Sequence, residues 1–312
     1  MRRRAALLVL AGLALTALPH AGAKELRGEH LPLAARAQAR TGEGVVGLRA
    51  PGPSELRLRG GHFTMGSEAT DVAAAREACA HEPRGAACAN RELFPALFAD
   101  ELDAHPVVLS DFWIDRTEVT VGAYGQCVEA GACTALRQPG AKAWTRAADL
   151  PMTLVTWDDA ARFCTWRGAR LPTEAEWERA ARGWAGRTYP WGHVLNPKLC
   201  NHGRFAWDPL DDDDGFAELA PVGSFPAGAT PEGVVDLAGN VEEWVADWYA
   251  PGYGSEQAVD PRGPESGELR VVRGGSYQSG RPWLRAAARS YDVPARRRSW
   301  RGFRCARSAS PW

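Results

Sequence analysis

The sequence has little that would tie it to a charged polymer or a bilayer. Lysine and arginine number 37 against 38 aspartates and glutamates, a formal net charge of -1, so no global basic field exists to hold nucleic acid or an anionic membrane against salt. The one long apolar run, Ala5 to Leu18, falls short of the roughly 20 residues that cross a bilayer. No cysteine follows it to take a lipid. The seven histidines show no His-Glu-x-x-His or comparable metal spacing, which removes a zinc-hydrolase reading. There is no internal repeat, and the one low-complexity tract is Asp211 to Asp214.

What is present suits an exported globular protein. With 45% hydrophobic and 24% charged residues over 312 positions, the chain can bury a sizeable core. Arg2 to Arg4, the apolar run and the small residues Ala21-Gly22-Ala23 form a signal-peptide pattern over residues 1–23. The expected product is secreted or periplasmic, starts at Lys24 and is not inserted in a membrane. In an oxidising compartment its seven cysteines tend to pair. Cys79 with Cys88, and Cys127 with Cys133, are close enough to close short loops. Spacing alone does not pair Cys164, Cys200 and Cys305.

Residues 24–53, rich in Ala, Arg and Gly, read as a leader or linker, and the domain is expected over 54–308 with an insertion near 69–104. Gly60 to Ser67 and Phe112 to Val119 predict strands. Thr120 is placed to cap a helix stopping at Gly131, and Thr156 with Asp159 to open one reaching Gly168. Thr173 with Glu176 forms a capping box for a helix ending before Gly183. Beyond Gly183 the richness in Gly, Pro, Trp and Asp predicts irregular backbone and short strands. Loops of that length need staples, for which disulfides and calcium are the available devices.

Six separated segments resemble the formylglycine-generating enzyme, or sulfatase-modifying factor, domain family in order and spacing. They are Gly61-His62-Phe63-Thr64-Met65-Gly66; Phe163-Cys164-Thr165-Trp166 running into Arg170-Leu171-Pro172-Thr173-Glu174-Ala175-Glu176-Trp177-Glu178; Tyr189-Pro190-Trp191-Gly192; Asp236-Leu237-Ala238-Gly239-Asn240-Val241-Glu242-Glu243-Trp244; Arg273-Gly274-Gly275-Ser276-Tyr277; and Gly302-Phe303-Arg304-Cys305. The resemblance implies an α+β fold, a variant of the C-type lectin fold with low regular secondary structure, a few helices and short antiparallel strands. It also implies a disulfide between Cys164 and Cys305, leaving Cys200 buried and unpaired. Two structural calcium sites follow from it: one from the Asn201 and Asp214 side chains with the carbonyls of His202 and Phe216, the other from the Asp236 and Glu243 side chains with the carbonyls of Gly239 and Val241. Those donor sets are hard oxygens, which suit calcium better than zinc.

The sequence departs from the family where its chemistry sits. The family's oxidases use two cysteines shortly after the Gly-Gly-Ser segment to bind copper(I) as thiolates. Here Gln278-Ser279-Gly280-Arg281-Pro282-Trp283-Leu284-Arg285 follows, with no cysteine until Cys305. A hydroxyl is a hard, high-pKa donor and does not replace a copper thiolate, so copper is not expected. The remaining cleft implies a peptide or protein ligand held near Ser276, Tyr277, Trp283 and Glu242, as in a binding module. The competing reading is a periplasmic enzyme of other chemistry on the same scaffold, similar to relatives that mature peptide-siderophore chromophores, with Ser279, Tyr277 and Glu242 as candidate catalytic groups. The nine arginines from Arg281 to Arg307 read mainly as internal ion pairs at Arg289 and Arg304 and a solvated loop at Arg296 to Arg298.

Overall fold

Alternation of side chains along two short strands organises the domain into two cores on opposite faces of one sheet. In the computed structural model, Val245 and Val271 pack with Trp177, Ile114 and Phe63, while their neighbours Trp244 and Val272 pack with Tyr124, Phe163 and Phe303. Successive strand residues point to opposite faces, so a Trp-Val or Val-Val step feeds both cores at once. The structure describes residues 54–82, 85, 88, 90, 96–136, 147–204, 212–253 and 259–309. The chain divides into units Met1–Gly47 and Leu48–Trp312, and every described residue lies in the second. The signal-peptide and leader readings, and Asp211, fall outside the described residues.

In chain order the elements are β1 (Glu55–Leu58), β2 (Gly61–Met65), α1 (Ala69–His81), β3 (His105–Leu109), β4 (Phe112–Asp115), α2 (Val121–Glu129), α3 (Trp157–Trp166), α4 (Glu174–Arg182), β5 (Glu242–Trp248), β6 (Arg270–Arg273), β7 (Arg289–Asp292), β8 (Arg301–Phe303) and β9 (Ala306–Ser308). They form a four-stranded sheet in the order β7-β6-β5-β8, a three-stranded sheet β1-β4-β9 and a two-stranded ribbon β2-β3. All pairings are antiparallel except β5 with β8, where Glu243 lies opposite Gly302. This is an α+β fold of few helices and short strands. No helix among the described residues is long and apolar enough to cross a membrane.

The three expected helices start where their caps place them. The hydroxyls of Thr120, Thr156 and Thr173 accept hydrogen bonds from the amides of Ala123, Asp159 and Glu176, satisfying donors that the first helical turn leaves open. β2, Gly61–Met65, is the short strand expected between the glycines, whereas β4 is shorter than expected and stops at Asp115 because the next amides turn to other segments, Arg116 to Ser54 and Val119 to Phe303. The insertion contains a helix the sequence reading left unassigned, α1. Alanine-rich and exposed over much of its surface, α1 has no strong apolar stripe to announce it. It is held by Val72, Ala75, Cys79 and Cys88 packed with Phe98 and Trp283.

Three disulfides join Cys79 to Cys88, Cys127 to Cys133, and Cys164 on α3 to Cys305 between β8 and β9. Cys200 is buried and unpaired, as expected. All seven thiols are therefore bridged or buried.

Buried arginines tie the irregular segments to the sheet. Arg273 bridges Glu174 and Glu178 of α4 at 3.0 and 2.6 Å, and Arg289 grips Glu174 with two hydrogen bonds of 2.7 and 2.9 Å. Arg304 makes the matching pair with Glu243. Arg289 and Arg304 thus make the internal ion pairs expected of them. Arg296, Arg297 and Arg298 are more exposed, but each also meets a carboxylate, of Asp292, Asp159 and Asp292 respectively.

Asp247 is a buried carboxyl with no arginine hydrogen bond among the described residues; its Oδ2 accepts the Glu174 amide at 2.8 Å. Burial, and after it the charge of Glu174, push its pKa up to about 8. A carboxyl raised in the folded state holds its proton more tightly there than in the unfolded chain. Its contribution is complete below the unfolded value near 4 and declines as pH rises through about 8. Asp247→Asn keeps an acceptor for the Glu174 amide and cannot ionise. Urea unfolding at pH 5 to 8 should show wild type losing more stability with rising pH than this variant; parallel curves would contradict the assignment.

Candidate functional site

The candidate residues converge on three loops laced by backbone hydrogen bonds. Gly239 N–H donates to Gly274, Asn240 N–H to Asn201, Tyr277 N–H to Asn240, and Gly203 N–H to Ser279. The first calcium candidate, the second and the Ser276–Ser279 turn therefore share one polar seam. Gly239 has a φ of 82°, and a Cβ there would collide with the carbonyl oxygen of Asn201, so only glycine fits. Asp236 and Asn240 hold φ of 59° and 58° in the same loop, conformations that non-glycine residues adopt at a cost. Asn240 offsets that cost with a side chain bonded to Glu118, Ala220 and Asn201.

At the first oxygen cluster, both oxygens of Asp214 are aimed back at the expected partners. They accept the His202 amide at 2.7 Å and the Phe216 amide at 2.9 Å. Asn201 donates its Nδ2 to the Glu218 carbonyl and to Asn240 Oδ1, while its Oδ1 is buried without a hydrogen-bond partner. A buried acceptor left without a donor is costly, and a hard cation satisfies it. Asp214 thus ties His202 and Phe216 together through their amides, and the oxygen left open beside them is Asn201 Oδ1, a donor type that suits a hard cation.

The second set is arranged differently. Glu243 accepts 2.7 Å bonds from Arg304 on each oxygen and a 2.9 Å bond from Trp177 Nε1. That occupies three of the roughly four lone-pair positions of a carboxylate. Asp236 accepts the Gly223 amide at 2.6 Å and lies close enough to Glu118 for their charges to interact. Glu118 was not singled out from the sequence, where it reads as one polar position in a strand. Its Oε1 accepts from Asn240 at 3.0 Å and its Oε2 is buried without a partner. Burial, then the Asp236 charge, hold the Glu118 pKa well above the usual carboxylate range, and Asp236 is also raised by burial. The oxygen left open on this side therefore belongs to Glu118, while Glu243 is chiefly the counter-ion of Arg304.

The turn in the place of the family's thiol segment is closed by hydroxyls. Ser279 Oγ accepts the Ser276 amide at 2.9 Å and lies 3.4 Å from Ser276 Oγ, which accepts the Gln278 amide at 3.2 Å. Tyr277 OH accepts from Gln278 Nε2 at 3.1 Å. Trp283 leaves this turn and packs edge-on against Phe98 of the insertion, ring centres 5.2 Å apart. Glu242 is not brought to the turn. It pairs with Arg301 at 2.8 Å on the neighbouring strand β8. Cys200 offers no substitute thiol, because burial, with the Asp214 charge second, pushes its pKa up to about 12 and leaves almost no thiolate.

Comparison with known proteins gives this geometry a context. The profile of the sulfatase-modifying factor enzyme 1-like domain matches residues 45–309. The formylglycine-generating enzyme of Bos taurus is 41% identical over 172 residues, 52% of this chain and 45% of that protein, so the match spans about half its length. The inactive C-alpha-formylglycine-generating enzyme 2 of Mus musculus is 33% identical over 299 residues, 83% of this chain and 87% of that protein. The structure of PvdO from Pseudomonas aeruginosa superposes with a TM-score of 0.63 at 26% identity, covering 82% of this chain and 94% of that one.

Proposed function

Because the chain belongs to the sulfatase-modifying factor enzyme 1-like domain family, we propose that it keeps the family's peptide-handling scaffold and has replaced the paired-thiolate copper oxidation with different chemistry on a peptide-derived substrate, outside the cytoplasm. The observation that carries this reading is the Ser276–Ser279 turn. A pair of hydroxyls 3.4 Å apart stands there, and every cysteine is either bridged or buried. Soft copper(I) has no ligand pair in such a turn. The likeness to PvdO over most of both chains supports a scaffold kept whole, and the resemblance to relatives that mature peptide-siderophore chromophores suggests the kind of enzyme. Ser279 and Tyr277 are its candidate groups. The second reading is a calcium-stabilised peptide- or protein-binding module, favoured by the engagement of Ser279 Oγ within its own turn. Either reading accommodates the C-type-lectin-like variant of the α+β fold that the resemblance implies.

Calcium in this proposal is structural. Asn201, Asp214 and the carbonyls of His202 and Phe216 hold one ion; Asp236, Glu243 and the carbonyls of Gly239 and Val241 are the candidates for a second. An ion there fixes loops that bury too little apolar surface to order themselves. Saturating calcium, at about 100 times its Kd, should stabilise wild type by about 2.7 kcal/mol per site. Asp214→Ala should lose the increment of its site. An equal rise in Tm on adding calcium to both proteins would remove the assignment.

The functional test is mass spectrometry in two arms. A Cys-x-Pro-x-Arg peptide with copper-loaded protein, oxygen and a reductant should stay unconverted while a cysteine-paired relative converts it. The low-molecular-weight peptide pool of the producing cells, incubated with wild type and Ser279→Ala, should show a defined mass change lost in the variant. Retention of a peptide without a mass change would favour the binding module instead. Conversion of the cysteine to an aldehyde would overturn both readings.

A further inference from the structure

The insertion does more than decorate the domain: helix α1 forms one wall of a cavity of about 850 Å3, and residues 281–287 and the 186–195 turn form the others. That volume lies within the usual range of ligand sites. Phe98 and Trp283 fix α1 against the segment that follows Ser279, so the cavity adjoins the turn discussed above.

The charges in the wall are unequal in their commitments. Arg285 is held on both nitrogens by Glu101 at 2.6 and 2.8 Å. Arg182 is spent on Glu178 at 3.0 Å and on the Gly66 carbonyl, and Arg187 on the Pro190 carbonyl at 3.0 Å beside Glu232. Arg281 differs. Its side chain is 49% exposed, and among the described residues its guanidinium has one counter-ion, Glu82, at 3.6 Å, too long for a hydrogen bond. Asp71 and Glu82 also line the wall. The guanidinium of Arg281, held by one long ion pair, therefore offers its planar fork to a single carboxylate, whereas a dianionic phosphate would call for more positive charge than the wall has free. Opposite, Ala74 and Ala78, four residues apart and both exposed, present a smooth apolar strip on α1. Tyr189, stacked parallel to Trp191 at 5.4 Å, gives the floor an aromatic edge.

We propose that this cavity binds the carboxylate-bearing end of a short apolar peptide, with Arg281 as the anion contact and the Ala74–Ala78 strip as the wall against its side chains. The proposal rests on the peptide-handling reading and names the chemical class it would take.

The probe is a set of tetrapeptide libraries incubated with the full-length protein, separated by size exclusion and read by mass spectrometry. One library has free C-termini and no Asp or Glu, one is C-amidated without Asp or Glu, and one is amidated with them. Wild type should retain members of the first or third and none of the second; which of the two is retained tells a chain terminus from an acidic side chain. Arg281→Ala should weaken that retention at least tenfold. Ala78→Glu, an exposed change that sets a like charge against the ligand, should do the same. Equal retention of all three libraries, or retention unchanged in both variants, overturns the cavity assignment and leaves peptide binding elsewhere on the domain. No retention from any library by wild type overturns the peptide-handling reading together with it.

Discussion

Replacing Cys164 and Cys305 together by serine should lower stability by about 5 kcal/mol, whereas the same change at Cys127 and Cys133 should cost about 2 kcal/mol. The difference is one of loop length. The first bridge spans 141 residues and the second 6, and in the chain-entropy model the denatured state gains freedom with the logarithm of the loop released. The long bridge also lies inside the core, with Cys164 and Cys305 packed among Tyr124, Phe163 and Phe303. Removing both partners of a bridge avoids leaving a thiol to mispair, and Cys200, whose pKa is pushed up to about 12, is a poor attacking group for exchange. Urea midpoints of the two double variants provide the comparison. Equal losses would show that the long bridge does not constrain the unfolded chain and that its role is local packing.

Much of this framework is legible from sequence because it is set by local chemistry. Thr120, Thr156 and Thr173 cap helices through atoms three residues away, a range at which sequence and geometry are nearly the same thing. The two short disulfide loops are local in the same sense. The Cys164 to Cys305 pairing needed the resemblance, since nothing in spacing selects it over Cys200. Helix α1 escaped notice because its exposed alanines give no apolar period. Glu118 escaped for a different reason: its environment is made by Asp236, Asn240 and Arg304, which lie far along the chain. The polar seam of the candidate site is a tertiary property, and a lone glutamate three residues past a strand does not declare it. Glu242 shows the converse. Adjacent to Glu243 in a motif, it points to an ion pair with Arg301, because neighbouring strand residues face opposite ways.

That division between adjacent glutamates sets the second large effect. Glu243→Gln should destabilise the domain by about 3–5 kcal/mol, the usual loss when one partner of a buried ion pair is removed. Arg304 is wholly buried; its guanidinium also donates to the carbonyls of Asp115, Arg116, Val235 and Asp236, so it has no route to solvent. Burial works against its charge, and the Glu243 carboxylate outweighs that penalty. Arg304→Met should be damaging for the mirror-image reason, leaving the buried Glu243 carboxyl without its counter-ion and with only the Trp177 bond. The double variant should be less destabilised than the sum of the two, since no stranded charge remains. Repeating the cycle with and without calcium separates the two roles open to Glu243. If it ligates an ion, the calcium increment falls in Glu243→Gln. If it serves only as counter-ion to Arg304 and acceptor for Trp177, the increment is unchanged and the coupling energy is the same in both conditions, which would leave Glu118 and Asp236 as the carboxylates available to a cation in that loop.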